Sequence, residues 1–371
     1  MMMSPLSTRP PSEDGPRAPT EPLLQTVGLT KHFPIGGLLS HHQLHAADGV
    51  DLVIRGREIV ALVGESGSGK STLARLLAMI YRPTRGEIRF RGRSLATLRS
   101  RRDVLEYRGR VPMVFQDPYS SLNPVFRVSH GIMRAIKLHR PDLSGGGRRA
   151  EAERVLRLVG LAPPADFLDK FPHELSGGQR QRIGFAQALA SRPLLILADE
   201  PVSMLDVSIR IGLLNLMAEL REREQLSLLY ITHDIASARY VADRLLVMYA
   251  GHIVEQGGTE EVLQQPRHPY TQLLLAAAPD PMAEIGVSSW AELGEPPRVV
   301  DPGPGCRFRW RCPRAEAVCS SIDPELRSVD GGAGIHLAAC HVAARQPPAS
   351  PLPDARTAGQ APPTAGAAGR G

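Results

Sequence analysis

The stretch Gly64-Glu65-Ser66-Gly67-Ser68-Gly69-Lys70-Ser71-Thr72 follows an apolar run, Ile59-Val60-Ala61-Leu62-Val63. Three glycines fall within its first six positions. Glycine gives up side-chain contacts and loses much backbone entropy on folding, so this loop calls for bare backbone rather than packing. The spacing G-x-x-x-x-G-K-S lets successive N–H groups turn inward and cradle anionic oxygens. Lys70 reaches the terminal phosphates as a point charge, and the Ser71 hydroxyl stands where it can ligate Mg²⁺. The residues from Thr72 to Leu77 read as a helix whose N-terminus adds partial positive charge at the phosphates. The whole stretch from Gly64 to Thr72 is therefore expected to bind a nucleoside triphosphate.

With 371 residues, the chain has room for two or three domains. Hydrophobic residues make up 42%, enough for a globular core. The net charge is +6, a mild excess that suits nucleic acid, an acidic membrane surface or neither. Arginines gather between Arg82 and Arg110. Such a run commonly forms a solvated face. The first residues, Met1-Met2-Met3-Ser4-Pro5, lack the apolar core of a secretory signal, and no run of apolar residues is long enough to span a bilayer. A cytosolic chain is expected, where structural disulfides are rare.

Pro-, Ser- and charge-rich residues 1–22 and Pro/Ala/Gly-rich residues 346–371 read as disordered tails. Between them strand and helix signals alternate, which favours an α/β fold with a largely parallel sheet. Strands are expected at 59–63, 111–115, 194–198, 228–232 and 245–248. Helices are expected after the phosphate loop and at 150–159, 180–190, 209–222 and 235–242. Residues 295–305 mark a further boundary.

Leu194-Leu195-Ile196-Leu197-Ala198-Asp199-Glu200 is an apolar run ending in two carboxylates, which suits a central strand buried on both faces. Asp199 at its end can hold Mg²⁺ from the side opposite Ser71. Glu200, one step further out, can take a proton from an attacking water or orient it. Leu175-Ser176-Gly177-Gly178-Gln179 precedes a helix. A hydroxyl and glycines at a helix start make a second anion site.

The order of phosphate loop, Gln116, LSGGQ, LADE, Ser203-Met204-Leu205-Asp206 and His233 resembles the nucleotide-binding subunit of an ABC transporter, from about Leu23 to Leu263. Three further stretches narrow the resemblance. They are residues 115–124, Arg267-His268-Pro269-Tyr270-Thr271, and residues 305–313 beginning Gly305-Cys306-Arg307-Phe308. These are similar to the ATPases of oligopeptide/dipeptide and related nickel importers. The resemblance implies a P-loop NTPase cassette over residues 23–265, with a helical subdomain near 117–180. It also implies a transporter-type C-terminal extension over 266–345. Two cassettes would pair head to tail, each ATP lying between one chain's phosphate loop and the other's LSGGQ.

By the same resemblance Phe33 would stack on adenine. Gln116 would touch Mg²⁺ and report nucleotide state to the membrane partner. Ser176, Gly177, Gly178 and Gln179 would meet the partner's ATP, Asp206 would cross the dimer, and His233 would contact the γ-phosphate. Met204 stands where the family commonly has a small residue. The implied partners are a second cassette, two transmembrane permease subunits and, indirectly, an extracytoplasmic substrate-binding protein. The chain would then sit peripherally on the cytoplasmic side of the cell membrane. A soluble ABC ATPase acting on nucleic acid or the ribosome is the competing class. One cassette and no sustained heptads argue against it, so no nucleic-acid partner is expected.

All four cysteines, Cys306, Cys312, Cys319 and Cys340, lie in one short segment, with gaps of five, six and twenty residues. Four thiolates can hold tetrahedral Zn²⁺ or an iron–sulfur cluster. The tight C-x₂₋₄-C pairs usual for zinc are absent, and wider gaps suit a cluster. Some members of the resembling family carry [4Fe–4S] here. Four reduced cysteines packed as small apolar residues are the plain alternative. His41, His42 and His45 read as loop histidines rather than a metal site.

Overall fold

Alternate residues of the run 59–63 serve two different cores, and this double duty organises the molecule. The computed structural model describes residues 22–36, 42–117, 122–277, 299–329 and 336–343. The expected tails, apart from Pro22, lie outside the described residues, as do His41 and Tyr119 to Ser121.

The chain opens with β1 (Pro22–Pro34), β2 (Gln43–Arg55), β3 (Ile59–Val63), α1 (Lys70–Leu77), β4 (Arg85–Phe90) and β5 (Arg93–Ser94). It continues through α2 (Arg101–Arg110), β6 (Met113–Val114), α3 (Val128–His139), α4 (Gly145–Leu158), α5 (Pro164–Leu168) and α6 (Gly177–Leu189). Then come β7 (Leu195–Asp199), α7 (Val207–Arg223), β8 (Ser227–Thr232), α8 (Ile235–Val241), β9 (Arg244–Tyr249) and β10 (His252–Gly258). Last are α9 (Thr259–Gln264), α10 (Pro269–Ala277), β11 (Arg327–Ser328) and β12 (Leu337–Ala338).

An eight-stranded sheet has the order β11-β12-β10-β9-β3-β8-β7-β6, and a four-stranded antiparallel sheet has the order β2-β1-β4-β5. Within the large sheet β6, β7, β8, β3 and β9 run parallel, as the strand–helix alternation predicts. The central strands β3, β7 and β8 are buried at every position. Side chains alternate across a strand. On β3, Ile59, Ala61 and Val63 join the core shared with the helices 128–189, whereas Val60 and Leu62 join the core under the small sheet and α1.

The small antiparallel sheet and β10 are not foreseen from the sequence. Register shifts interrupt the β1–β2 ladder at four places, which blurs the period-two pattern by which a strand is read. The strand expected at 111–115 shrinks to Met113–Val114. It lies at the sheet edge, and Pro112 has no N–H to offer a ladder, although its carbonyl accepts from Leu197 N at 3.0 Å. The helix expected from 180 begins at Gly177, because Ser176 caps it.

Arg267-His268-Pro269-Tyr270-Thr271 runs directly into a helix. Pro269 opens α10 itself, and the buried His268 Nδ1 accepts the Tyr270 N–H at 3.0 Å. Glu255, fully buried on β10, accepts the N–H groups of Arg267 and His268 at 2.7 and 2.9 Å and binds His336 Nε2 at 2.7 Å. The extension thus closes on the cassette through one carboxylate, and β12 adds to β10 as an antiparallel neighbour.

Burial pushes the His268 imidazole down to about 3. An unfolded histidine titrates near 6.5, so between these values the unfolded chain binds a proton that the folded chain refuses. Stability should therefore fall as pH drops below about 6.5, by up to about 1.4 kcal/mol per pH unit from this group. Urea midpoints at pH 7 and pH 5 will show it: the loss on acidification should be smaller in His268→Gln than in the parent.

Candidate functional site

The phosphate loop joins β3 to α1 and lines a cleft of about 880 Å³. All residues from Gly64 to Thr72 line it, together with Gln116, Glu200 and His233. The parallel register accounts for this: Val63 pairs with Thr232, and Asp199 with Ile231, so β3, β7 and β8 end at one level. The loops leaving their C-terminal ends then meet in one crevice, where an open α/β sheet holds its ligand.

Gly69 adopts φ 106°, and a Cβ there would stand 2.0 Å from the Ala46 carbonyl oxygen. Only glycine fits both the backbone and the space. Lys70 is 4% exposed, and its ammonium donates to the carbonyls of Gly64 at 2.7 Å and Glu65 at 2.8 Å. Burial holds it below its ordinary value, against the pull of the Glu200, Asp199 and Glu65 carboxylates. The Ser71 hydroxyl donates to Asp199 Oδ1 at 3.0 Å. Burial raises the Asp199 carboxyl, with the Ser71 hydrogen bond and nearby cations opposing. Glu200 follows with φ 45°, a left-handed backbone uncommon outside glycine and typical of constrained sites. Its Oε2 accepts from Gln116 Nε2 at 3.0 Å and lies 3.3 Å from His233 Nδ1.

Three of the expected site regions lie apart from this cleft lining. Phe33 packs edge-on against Tyr81, ring centroids 5.4 Å apart, while Ile35, Leu44 and Val299 supply the apolar wall. Ser176 to Gln179 span the start of α6, with Ser176 exposed and Gly178 buried, and a reciprocal capping pair closes the turn. There Gln179 N donates to Ser176 Oγ at 3.3 Å, and Ser176 N to Gln179 Oε1 at 3.0 Å. Asp206 is exposed at the start of α7, beside Met204 and Val207, two of the most exposed large apolar side chains described.

The sequence reading missed the contacts that the extension makes with the phosphate loop. The Glu65 N–H donates to the Tyr270 hydroxyl at 2.8 Å, and Arg311 binds the Glu65 carboxylate at 3.1 Å. Both residues sit inside stretches that stood out, 267–271 and 305–313, but nothing local in them points to Glu65.

Residues 47–203 match the family model described as ABC transporter, and residues 254–319 match oligopeptide/dipeptide transporter, C-terminal region. The chain is 40% identical over 323 residues to the putative oligopeptide transport ATP-binding protein YkfD of Bacillus subtilis (strain 168), covering 86% of this chain and 95% of that one. The chain belongs to the ABC transporter ATP-binding proteins. The dipeptide transport ATP-binding protein DppF of Escherichia coli (strain K12) is 41% identical over 327 residues, covering 86% of this chain and 94% of its own. Among solved structures, the dimeric post-hydrolysis state of the ATP-binding cassette MJ0796 bound to ADP and Pi superposes with a TM-score of 0.57 at 29% identity. It covers 64% of this chain and 98% of its own. The cassette is thus an ATPase of the P-loop class, and no described helix is long and apolar enough to cross a membrane.

The two loop glycines separate backbone strain from steric conflict. Gly67 has φ 79° with open space where a Cβ would go, whereas Gly69 has φ 106° and a carbonyl in the way. Gly67→Ala should cost about 1–2 kcal/mol, the left-handed penalty alone. Gly69→Ala should cost more and abolish nucleotide retention, because the loop backbone itself must move. Denaturant titration with fluorescent-nucleotide binding checks both; equal losses for the two variants would remove the steric argument.

Proposed function

We propose that this chain is the ATP-hydrolysing subunit of an importer for oligopeptides or dipeptides, working as one of two paired cassettes beneath permease subunits at the cytoplasmic face of the membrane. The matched C-terminal region and the names of the relatives support peptides as cargo. Related solutes such as nickel remain the alternative cargo.

The observation that carries the pairing is the separation of two anion-binding surfaces on one chain. The phosphate loop has its own cleft, and the Ser176–Gln179 helix start is not part of that cleft's lining. An exposed, capped helix N-terminus with glycine backbone suits phosphates supplied by another chain. The exposed Met204 and Val207 beside Asp206 suit burial in the same contact. Met204 is bulky for such a place and tempers the closeness of approach.

Within the composite site the roles follow from position. Lys70 exchanges carbonyl partners for β- and γ-phosphate oxygens, and the loop N–H groups from Gly64 to Thr72 surround them. Ser71, Gln116 and Asp199 are the residues that would hold Mg²⁺. The chemistry of the donors fits, since hard oxygens from a hydroxyl, an amide and a carboxylate suit that ion. When bound, Mg²⁺ neutralises charge on the phosphates. Glu200 orients the attacking water and takes its proton, steadied by Gln116. His233 meets the same Glu200 oxygen as Gln116 and would contact the terminal phosphate. Phe33 acts at the adenine end only if the cleft closes toward it.

Glu200→Gln preserves shape and hydrogen bonding but removes the base. It should bind ATP and accumulate as a dimer, while hydrolysis falls by about 10²–10⁴. Adding Ser176→Arg fills the surface offered to the partner's phosphates. Size-exclusion chromatography with ATP should then return a monomer whose nucleotide affinity is unchanged. A dimer that persists in the double variant would refute the composite site.

For the cysteines we favour an iron–sulfur cluster over zinc. Burial pushes the Cys306 thiol up to about 12, and the nearby Cys319, Cys340 and Cys312 add to it. Among the described residues no three of these sulfurs lie within 4.8 Å of one another. Tetrahedral zinc with bonds of about 2.3 Å needs sulfurs about 3.8 Å apart, whereas a cluster spreads them further. Anaerobically purified protein should be brown with about four irons per chain. Colourless protein with one zinc reverses the choice, and metal-free protein with four titratable thiols leaves plain packing.

A further inference from the structure

His42 and His45 have different partners. His42 binds Asp301, whereas His45 crosses to the neighbouring strand, where it is the register partner of His32. The two imidazoles stack with centroids 3.6 Å apart. Asp48, three residues beyond His45, turns its carboxylate toward both rings. His32 Nε2 lies 3.4 Å from Asp48 Oδ1, and His45 Nδ1 lies 2.7 Å from Asp48 Oδ2. One ligand atom from each of His32, His45 and Asp48 falls within 4.8 Å of the others, and each side chain is partly exposed.

The decisive detail is His32. Its Nδ1 lies 3.2 Å from Gln43 Oε1. Its Nε2 is buried and has no hydrogen-bond partner. Nε2 therefore faces a carboxylate oxygen without a hydrogen bond to satisfy it, and an ion held by both atoms would satisfy it. A tetrahedral ion with bonds of about 2.1 Å to nitrogen and oxygen separates its ligands by about 3.4 Å. That is the His32–Asp48 spacing. The Gln43 contact is also the outer hydrogen bond that metal-bound histidines use to hold their tautomer and orientation.

We propose that His32, His45 and Asp48 bind one divalent transition-metal ion at the rim of the nucleotide cleft. Two imidazoles and a carboxylate suit Zn²⁺, Co²⁺, Ni²⁺ or Cu²⁺ rather than the all-oxygen preference of Mg²⁺. The ion takes the place of the proton between His45 Nδ1 and Asp48, and the neutral imidazole carries its proton on Nε2 instead. His252 Nε2, 4.0 Å from Asp48 Oδ2, is the nearest candidate for a fourth ligand. Arg307 is the competing cation: it holds Asp48 Oδ2 at 2.5 Å and leaves Oδ1 to the ion. His45 is itself a wall of the cleft, so the site lies beside the nucleotide, and Arg307 ties it to the cysteine segment.

Full-length protein, as purified, should be titrated with CoCl₂ and followed by optical spectroscopy and calorimetry. The expected result is one Co²⁺ per chain showing weak d–d bands without the intense near-ultraviolet thiolate band. His32→Gln and His45→Gln should each weaken binding about tenfold or more, and Gln43→Leu, which removes no ligand, by about 10–100-fold. Should His32→Gln fail to fold, the partly exposed His45→Gln and Gln43→Leu carry the test. Co²⁺ bound only through thiolate, or binding indifferent to the His45 and Gln43 substitutions, overturns the site and leaves a proton-bridged ion pair.

Discussion

A buried ammonium with no carboxylate in direct contact is the constraint on which the rest of this molecule turns. Lys70 is 4% exposed and spends its donors on the carbonyls of Gly64 and Glu65. Neutral carbonyls compensate a buried charge only in part. The loop thus holds a cation whose full compensation comes with an anionic ligand. The rigid parts of the fold serve to keep that arrangement standing. β3 is flanked on both sides by parallel strands, and the loop backbone packs so closely on Ala46 that a side chain at Gly69 has no room.

The second consequence is that the extension is part of the nucleotide site rather than an appendage. Glu65 is gripped by Tyr270 through its N–H and by Arg311 through its carboxylate. Phe308, 1% exposed, packs against Tyr249, Tyr270 and His268 and fixes the distance between the cysteine segment and the loop. A few packed rings and one ion pair thus join the cysteine segment to the phosphate loop. Cores of this density move as units rather than yield gradually.

The catalytic end is built differently. Glu200 sits in a left-handed backbone, held by its N–H to the Ile231 carbonyl at 2.9 Å and by the Ser203 hydroxyl on its own carbonyl at 3.0 Å. Its side chain meets Gln116 and His233, which come from separate loops. One constrained backbone position thus gathers side chains from two further loops at a single carboxylate.

The phosphate loop, the Asp199–Glu200 strand end and the parallel α/β class were readable from residues alone, because each is a local pattern. Glycine spacing, a fully apolar run and a helix start are all dictated by neighbours in sequence. Gln116 and His233 were placed at the nucleotide only by resemblance, and their meeting at the Glu200 carboxylate was decided by strand register. Four things came from tertiary structure alone: the antiparallel sheet, whose ladder slips at its bulges; the start of α10 at Pro269; the hold of Tyr270 and Arg311 on Glu65; and the meeting of His32 with His45 and Asp48. Each depends on which residues lie opposite one another across strands or across up to 246 positions of chain. Pairing at such range is set by the joint packing of both cores, and no window of sequence contains it.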